Sequence, residues 1–152
     1  MKLSLRKADI KDAKCLQNII GRYAKEDLML SRSLIEIYEN IRDFFVISQG
    51  KEILGCCALH ICWEDLAEVK ALAVEEKAKG KGIGRRLVRA ALNEAKVLKV
   101  KKVFCLTYIP EFFKQFGFRK IDRAKLPHKI WTECLKCPKF PDCDEQAMML
   151  KI

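Results

Sequence analysis

The residues best suited to chemistry in this chain lie in Val74-Glu75-Glu76-Lys77-Ala78-Lys79-Gly80-Lys81-Gly82-Ile83-Gly84-Arg85-Arg86-Leu87, which reads as a strand end, a loop and the head of a helix. Gly80, Gly82 and Gly84 alternate directly ahead of the helical pattern. Glycine removes the side chains that would hold a ligand away, and the first N–H groups of a helix have no acceptor within it. Those N–H groups and the helix dipole favour an anion, most naturally a phosphate or pyrophosphate. Lys79, Lys81 and Arg85 add attraction at longer range. Two nucleotide-binding patterns fail. A P-loop requires Gly-x-x-x-x-Gly-Lys-Ser/Thr, and no such string occurs. A dinucleotide fingerprint requires Gly-x-Gly-x-x-Gly after the first strand, whereas Gly-x-Gly-x-Gly here follows the fourth.

Other reactive side chains flank this loop. Period-2 alternation puts Glu68 on one strand face with Lys70, Leu72 and Val74. His60 ends the apolar stretch Gly55-Cys56-Cys57-Ala58-Leu59 and brings an imidazole, the side chain whose ordinary titration falls nearest neutrality. Farther on, Cys134-Leu135-Lys136-Cys137-Pro138-Lys139-Phe140-Pro141-Asp142-Cys143 spells C-x₂-C-x₅-C. Cys134, Cys137 and Cys143, with His128 or Asp144 as a fourth ligand, suit a structural zinc or iron–sulfur site. They equally suit small thiols packing a Pro-braced loop, and the sequence leaves the two readings open. Cys15 in a helix, and Cys56, Cys57, Cys62 and Cys105 in apolar strands, read most simply as packing residues.

The elements that must position these groups follow from periodicity. Lys2 to Arg6 alternates as an opening strand; after Asp9, a helix N-cap, Ile10, Ala13, Leu16, Ile19, Ile20 and Tyr23 recur at helical spacing. Ser33 and Glu36 form a capping box ahead of Ile37, Tyr38 and Ile41. Phe44 to Ser48, Ile53 to Trp63 and Ala67 to Val74 read as strands joined by turns at Gln49-Gly50 and Glu64-Asp65. Leu87, Val88, Ala91, Leu92, Ala95 and Leu98 make an amphipathic helix; Lys102 to Thr107 is a strand of buried type. A short helix near Glu111 to Phe116 stops at Gly117, and Phe118 to Ile121 and Gln146 to Ile152 close the chain as strands. The order β-α-α-β-β-β-α-β-α-β-β implies an α/β or α+β fold, helices against a mixed sheet.

The 152 residues, half of them apolar and a third charged, are expected to form a single domain, 1–152, with a Cys-rich segment at 126–145. A chain of this size buries roughly two-thirds of its unfolded surface and needs no disulfides. No apolar run approaches the ~18 residues of a membrane span, and charge interrupts the N-terminus before a signal-peptide core. No membrane association and a cytoplasmic location are therefore expected, with the cysteines as thiols. Of the net charge of +10, eleven basic and three acidic residues between Lys70 and Lys102 contribute +8. The Lys77 to Arg86 part of that stripe, which encloses the glycines, fits a phosphorylated partner, whereas Lys96 to Lys102 reads as a solvated helix face. Nucleic acid is disfavoured, because no aromatic residue is interleaved with the basic ones.

Lys79-Gly80-Lys81-Gly82-Ile83-Gly84 resembles the acetyl-CoA signature of the GNAT N-acetyltransferase superfamily, Arg/Gln-x-x-Gly-x-Gly/Ala, with Lys79 in place of the usual Arg or Gln. The element order is similar to that fold, a mixed, mostly antiparallel sheet flanked by helices. Gly55-Cys56-Cys57-Ala58-Leu59-His60, Trp63-Glu64-Asp65-Leu66-Ala67-Glu68-Val69, Leu106-Thr107, Glu111-Phe112-Phe113-Lys114-Gln115-Phe116-Gly117-Phe118, Arg32-Ser33-Leu34 and Asp43-Phe44-Phe45-Val46 resemble the short, stand-alone amino-acid N-acetyltransferases that make N-acetylglutamate at the opening of arginine biosynthesis. This likeness covers roughly residues 1–125.

The resemblance implies acetyl-CoA as cosubstrate. Leu72, Ala73 and Val74 would offer strand-edge backbone groups to the pantetheine arm, Lys79 to Arg85 (with Gly80, Lys81, Gly82, Ile83 and Gly84) would hold the pyrophosphate, and the Leu72 N–H would meet the developing oxyanion. An α-ammonium acceptor must lose a proton, for which Glu68 is the preferred base and His60 the alternative. Arg32, in the loop that lines the acceptor site in this family, would bind one carboxylate of a dicarboxylate acceptor and Lys70 the other. Thr107 is a further candidate for substrate hydrogen bonding, set against a buried strand-end Thr satisfied by backbone. Where many GNAT enzymes carry a Tyr as general acid, this chain has Phe113, so Tyr108, water or solvent would protonate the thiolate, or it leaves unassisted. Competing readings are a GNAT enzyme with another amine acceptor, such as a protein N-terminus or a polyamine, and a basic nucleic-acid-binding or regulatory CoA-binding module. A homodimer is compatible with the sequence.

Overall fold

The computed structural model describes residues 2–126 and 145–152. The strands are β1 (Leu3–Lys7), β2 (Phe44–Gln49), β3 (Glu52–Trp63), β4 (Leu66–Val74), β5 (Lys102–Thr107), β6 (Arg119–Lys120) and β7 (Gln146–Lys151). The helices are α1 (Ala13–Lys25), α2 (Leu34–Glu39), α3 (Ile83–Val97) and α4 (Pro110–Lys114). Hydrogen-bonded neighbours follow the order β1-β2-β3-β4-β5-β7-β6. β4 and β5 run parallel, and β1–β2, β2–β3, β5–β7 and β6–β7 are antiparallel. The expected mixed, mostly antiparallel sheet is thus present, and the element order is the expected one. The Cys134/Cys137/Cys143 cluster, with His128 and Asp144, lies outside the described residues.

Contacts divide the chain into two compact units: Met1–His60 with Val69–Glu94, and Ile61–Glu68 with Ala95–Ile152. In the first, Asp9 opens a capping box with Asp12 over a 3₁₀ turn, Ile10–Asp12, that leads into α1. Arg6 grips the Asp12 carboxylate at 2.7 and 3.0 Å, and this hydrogen bond holds the carboxyl below its usual range. The predicted Ser33–Glu36 box forms with both bonds, at 3.1 and 3.3 Å. Leu16, Ile19 and Ile20 of α1 and Ile37 of α2 pack with Phe44, Val46, Ile53, Cys56 and Ala58 into one buried cluster, so the helical apolar stripe meets the alternating strand faces.

In the second unit, Leu66, Phe104, Leu126 and Ala147 form a separate core, with Cys62, Leu106, Ile121 and Met149 against it. β7 pairs with β5 from Lys102↔Lys151 to Thr107↔Gln146, and β6 adds to β7 through Arg119↔Met149 and Lys120↔Met148. The predicted strand Phe118–Ile121 shortens to two residues. The predicted helix Glu111–Phe116 starts one residue earlier, at Pro110 in the first turn, where a missing N–H costs nothing, and ends at Lys114. Cys56, Cys57 and Cys105 are buried as expected, but Cys15 is exposed on α1 and is no packing residue.

Candidate active site

The glycine loop is built as an anion cradle. A 3₁₀ turn, Glu76–Ala78, leads from β4 into it. Gly80 and Gly82 have φ of +81° and +76°, conformations that L side chains rarely adopt, and a Cβ at either would meet no atom within 4 Å. The space that side chains would occupy is open. The first helical bond of α3 runs from the Arg86 N–H to the Gly82 carbonyl at 3.1 Å, so the N–H groups of Ile83, Gly84 and Arg85 precede it and lack an acceptor inside the helix. Ile83 is buried and fixes the helix start, whereas Lys79, Lys81, Arg85 and Arg86 are exposed. Lys79 pairs with Glu76 at 2.8 Å, a hydrogen bond that raises the ammonium pKa above its ordinary value, and stands 5.5 Å over the Tyr23 ring.

The strand leading into this loop is not regular. Ala71, in the middle of β4, has φ +54°, a left-handed conformation that costs a non-glycine residue free energy and turns the following peptide plane, which carries the Leu72 N–H, away from simple pleated geometry. The period-2 face argument therefore does not carry across Ala71 from Glu68 and Lys70 to Leu72 and Val74. Cys56, on β3, holds this irregularity. Its thiol lies 3.4 Å from the Ala71 carbonyl and also takes a hydrogen bond from the Ala73 backbone. Burial pushes the thiol up to about 12, so it stays protonated at neutral pH. Gly55 makes room beside it, since a Cβ there would come within 2.9 Å of Ile83 Cγ2 and 3.2 Å of the Ala73 carbonyl. Val74 is already engaged: its N–H donates to the Tyr23 hydroxyl at 3.1 Å and its carbonyl accepts from the same hydroxyl at 3.0 Å. Of the three strand residues expected to offer backbone groups to a cofactor, Ala73 and Val74 thus already have intramolecular partners.

The remaining predicted residues fall as follows. In the first unit, His60 Nδ1 lies 2.7 Å from Asp43 Oδ2, just ahead of β2, a pairing that orients the ring. Arg32 has a side chain only 14 % exposed, 3.9 Å from Glu36, and its carbonyl accepts from Gln17 of α1 at 3.5 Å. Lys70 is half-buried. In the second unit, Glu68 is a buried carboxylate on β4, opposite Phe104 of β5 in the parallel register; burial, and after it the Glu68 charge, pushes the Cys105 thiol up. Thr107 is buried and its hydroxyl accepts from the Ile109 N–H at 2.9 Å. Tyr108 is half-buried in the loop after β5. Phe113 is buried edge-on against Phe112 and Phe118, with ring centroids 5.2 and 5.4 Å away, and serves as packing. Sequence reasoning missed Tyr23 and Asp43. Tyr23 read only as a helix-stripe residue, although a tyrosine on an apolar face has a hydroxyl that needs a partner; Asp43 stood in a stretch that carries the family resemblance, but nothing in the sequence paired it with His60.

Residues 40–120, which include this cradle and β4, match the family described as an acetyltransferase (GNAT) domain. The chain belongs to the GNAT acetyltransferase family. It is an acetyl-CoA-dependent N-acetyltransferase, and the loop at Gly80–Arg85 has the open space and helix-start N–H groups that an anionic group of a cofactor requires. An uncharacterized N-acetyltransferase of Chlorobaculum tepidum is 43% identical over 145 residues, 95% of this chain and 94% of the relative. An amino-acid acetyltransferase of Mycobacterium tuberculosis is 32% identical over 85% of this chain and 75% of that protein. A Mycobacterium tuberculosis protein solved in complex with CoA superposes with a TM-score of 0.83 at 28% identity, covering 98% of this chain and 99% of that one. An N-acetylglutamate synthase from Neisseria gonorrhoeae, complexed with coenzyme A and N-acetyl-glutamate, shares the fold with a TM-score of 0.88 at 22% identity, over 99% of this GNAT chain and 35% of that one. Among the described residues, no group of three metal-binding side chains occurs, and no helix is long and apolar enough to cross a membrane.

Proposed function

We propose that this GNAT enzyme transfers the acetyl group of acetyl-CoA to the α-amino group of L-glutamate, giving N-acetylglutamate. The observation that carries the reading is the 32% identity to an amino-acid acetyltransferase over 85% of the chain. The cationic pair Arg32 and Lys70 supports a dicarboxylate acceptor, because a polyamine or another cationic amine calls for acidic residues instead. The low exposure of the Arg32 side chain favours a held guanidinium over a solvated loop arginine. In this reading the enzyme works in the cytoplasm and its product enters arginine synthesis, and Lys79, Lys81 and Arg85 of the glycine loop meet the cofactor's phosphates.

The chemistry assigns each group a role. Glu68 takes the ammonium proton, directly or through water, and the freed amine attacks the thioester carbon. The Leu72 N–H, turned by the left-handed Ala71, donates to the oxyanion. The C–S bond then breaks, the attacking nitrogen releases its remaining surplus proton to solvent to leave the amide, and Tyr108 or solvent protonates the departing thiolate, a role Phe113 cannot fill. Thr107 borders the acceptor. One observation favours a second choice of base: Asp43 Oδ2 lies 2.7 Å from His60 Nδ1 and so orients the imidazole.

A thiol-release assay with acetyl-CoA against the standard amino acids tests the proposal. Glutamate is expected to give the highest kcat/KM, and Arg32→Ala to raise the glutamate KM roughly tenfold, in line with about 1.5 kcal/mol for a charge-assisted hydrogen bond. Turnover with another amino acid in preference to glutamate overturns the acceptor assignment and leaves the family untouched.

A further inference from the structure

Tyr23 does for β4 what a neighbouring strand does. The Glu75 N–H donates to the Leu54 carbonyl of β3 at 2.8 Å, so the backbone groups of Glu75 point toward β3. Successive residues of a strand point their N–H and C=O to opposite edges, which turns those of Val74 to the edge away from β3. There a single hydroxyl accepts from the Val74 N–H at 3.1 Å and donates to its carbonyl at 3.0 Å, the two bonds an antiparallel partner residue would make. The same turn of α1 reaches the next residues: Arg22 pairs with Glu75, and Lys79 stands over the Tyr23 ring. Three contacts from two consecutive helix residues therefore fasten Val74, Glu75 and Lys79, the stretch that leads into Gly80 and Gly82.

We propose that Tyr23 is a positioning residue for acetyl-CoA: it closes the outer edge of β4 at Val74, and so sets where an extended cofactor arm can pair with that strand and where the pyrophosphate loop begins. The edge at Leu72 lies two residues, about 7 Å, before this stop. An amide-bearing arm laid along β4 is held to that single register by the occupied Val74. This inference rests on the acetyl-CoA chemistry of the family and not on the glutamate assignment.

The test is calorimetric titration of coenzyme A into Tyr23→Phe, with steady-state kinetics alongside. The expected result is a fivefold to tenfold rise in both the CoA Kd and the acetyl-CoA KM, with kcat and the acceptor KM within twofold. An unchanged Kd, or kcat and both KM values moving together, overturns the proposal, the latter because it marks a general structural defect. Arg22→Ala removes an exposed side chain from the same fastening and guards against a Tyr23→Phe that does not fold. It is expected to raise the CoA Kd twofold to threefold at unaltered Tm, and an unaltered Kd there also counts against the proposal. Because CoA binding is read without any acceptor, failure of the glutamate assignment is distinguishable from failure here.

Discussion

At its first three residues β4 is a rung of a backbone ladder, with Leu66, Ala67 and Glu68 in parallel register with Lys102, Val103 and Phe104. At its far end, past the residues paired with β5, side chains add to the backbone bonds toward β3: Cys56 on Ala71 and Ala73, Tyr23 on Val74, and Arg22 on Glu75. A ladder is made by groups every residue carries, so it tolerates substitution as long as the core beneath it stays filled. Side-chain fastenings exist only for particular residue types. In the proposed mechanism the first end carries the base and the second delivers the cofactor, so substitutions at the two ends should separate into effects on stability and kcat and effects on cofactor binding.

Phe104→Ala attacks the ladder-held end through its core. Phe104 is fully buried with Leu66, and its loss should cost about 3–5 kcal/mol in denaturant unfolding; a loss below about 1 kcal/mol would show that the register does not depend on this core. Glu68→Gln should lower kcat at least about a hundredfold while the acetyl-CoA KM holds within about twofold. Parent-like turnover in that variant would move the base to His60. Gly82→Val should do the reverse, raising the acetyl-CoA KM roughly tenfold to a hundredfold from the strain of a β-branched residue at φ +76°, with kcat little altered. Gly55→Ala should destabilise by about 1–3 kcal/mol, because its Cβ has nowhere to go between Ile83 and the Ala73 carbonyl.

Asp12→Asn has the smallest expected effect, about 1–2 kcal/mol in a urea titration near neutral pH, since Arg6 is 40 % exposed and solvent weakens the pair. It also has a pH signature. Arg6 holds the Asp12 pKa below its unfolded value, so the stabilisation is complete above the ordinary carboxylate range and disappears as pH falls through the folded pKa. The difference between parent and variant should therefore shrink in acid, and a difference independent of pH would assign the cost to packing alone.

Much of the architecture was readable from residue order. The caps at Asp9 and Ser33 follow from short polar side chains that reach backbone N–H groups two or three residues away; Ser33 caps α2 as read, whereas Asp9 caps the 3₁₀ turn Ile10–Asp12 and α1 itself begins at Ala13. Strand β5 matches its apolar run from Lys102 to Thr107, and the glycine loop keeps the strand–loop–helix context that its spacing implies. These are interactions within a few residues, and local sequence encodes them.

What needed the folded chain is contact between distant positions. Nothing near Ala71 announces a left-handed residue in an alternating strand; Cys56, fifteen residues earlier, holds that conformation from the neighbouring strand. Tyr23 finds Val74 across 51 residues, and Asp43 meets His60 across 17. The placement of β7 between β5 and β6 likewise follows from pairing partners and not from composition. Spacing could say that a loop binds an anion, because backbone N–H groups at a helix start do so wherever they occur. Which side chains hold that loop in place depends on partners brought together when the chain packs.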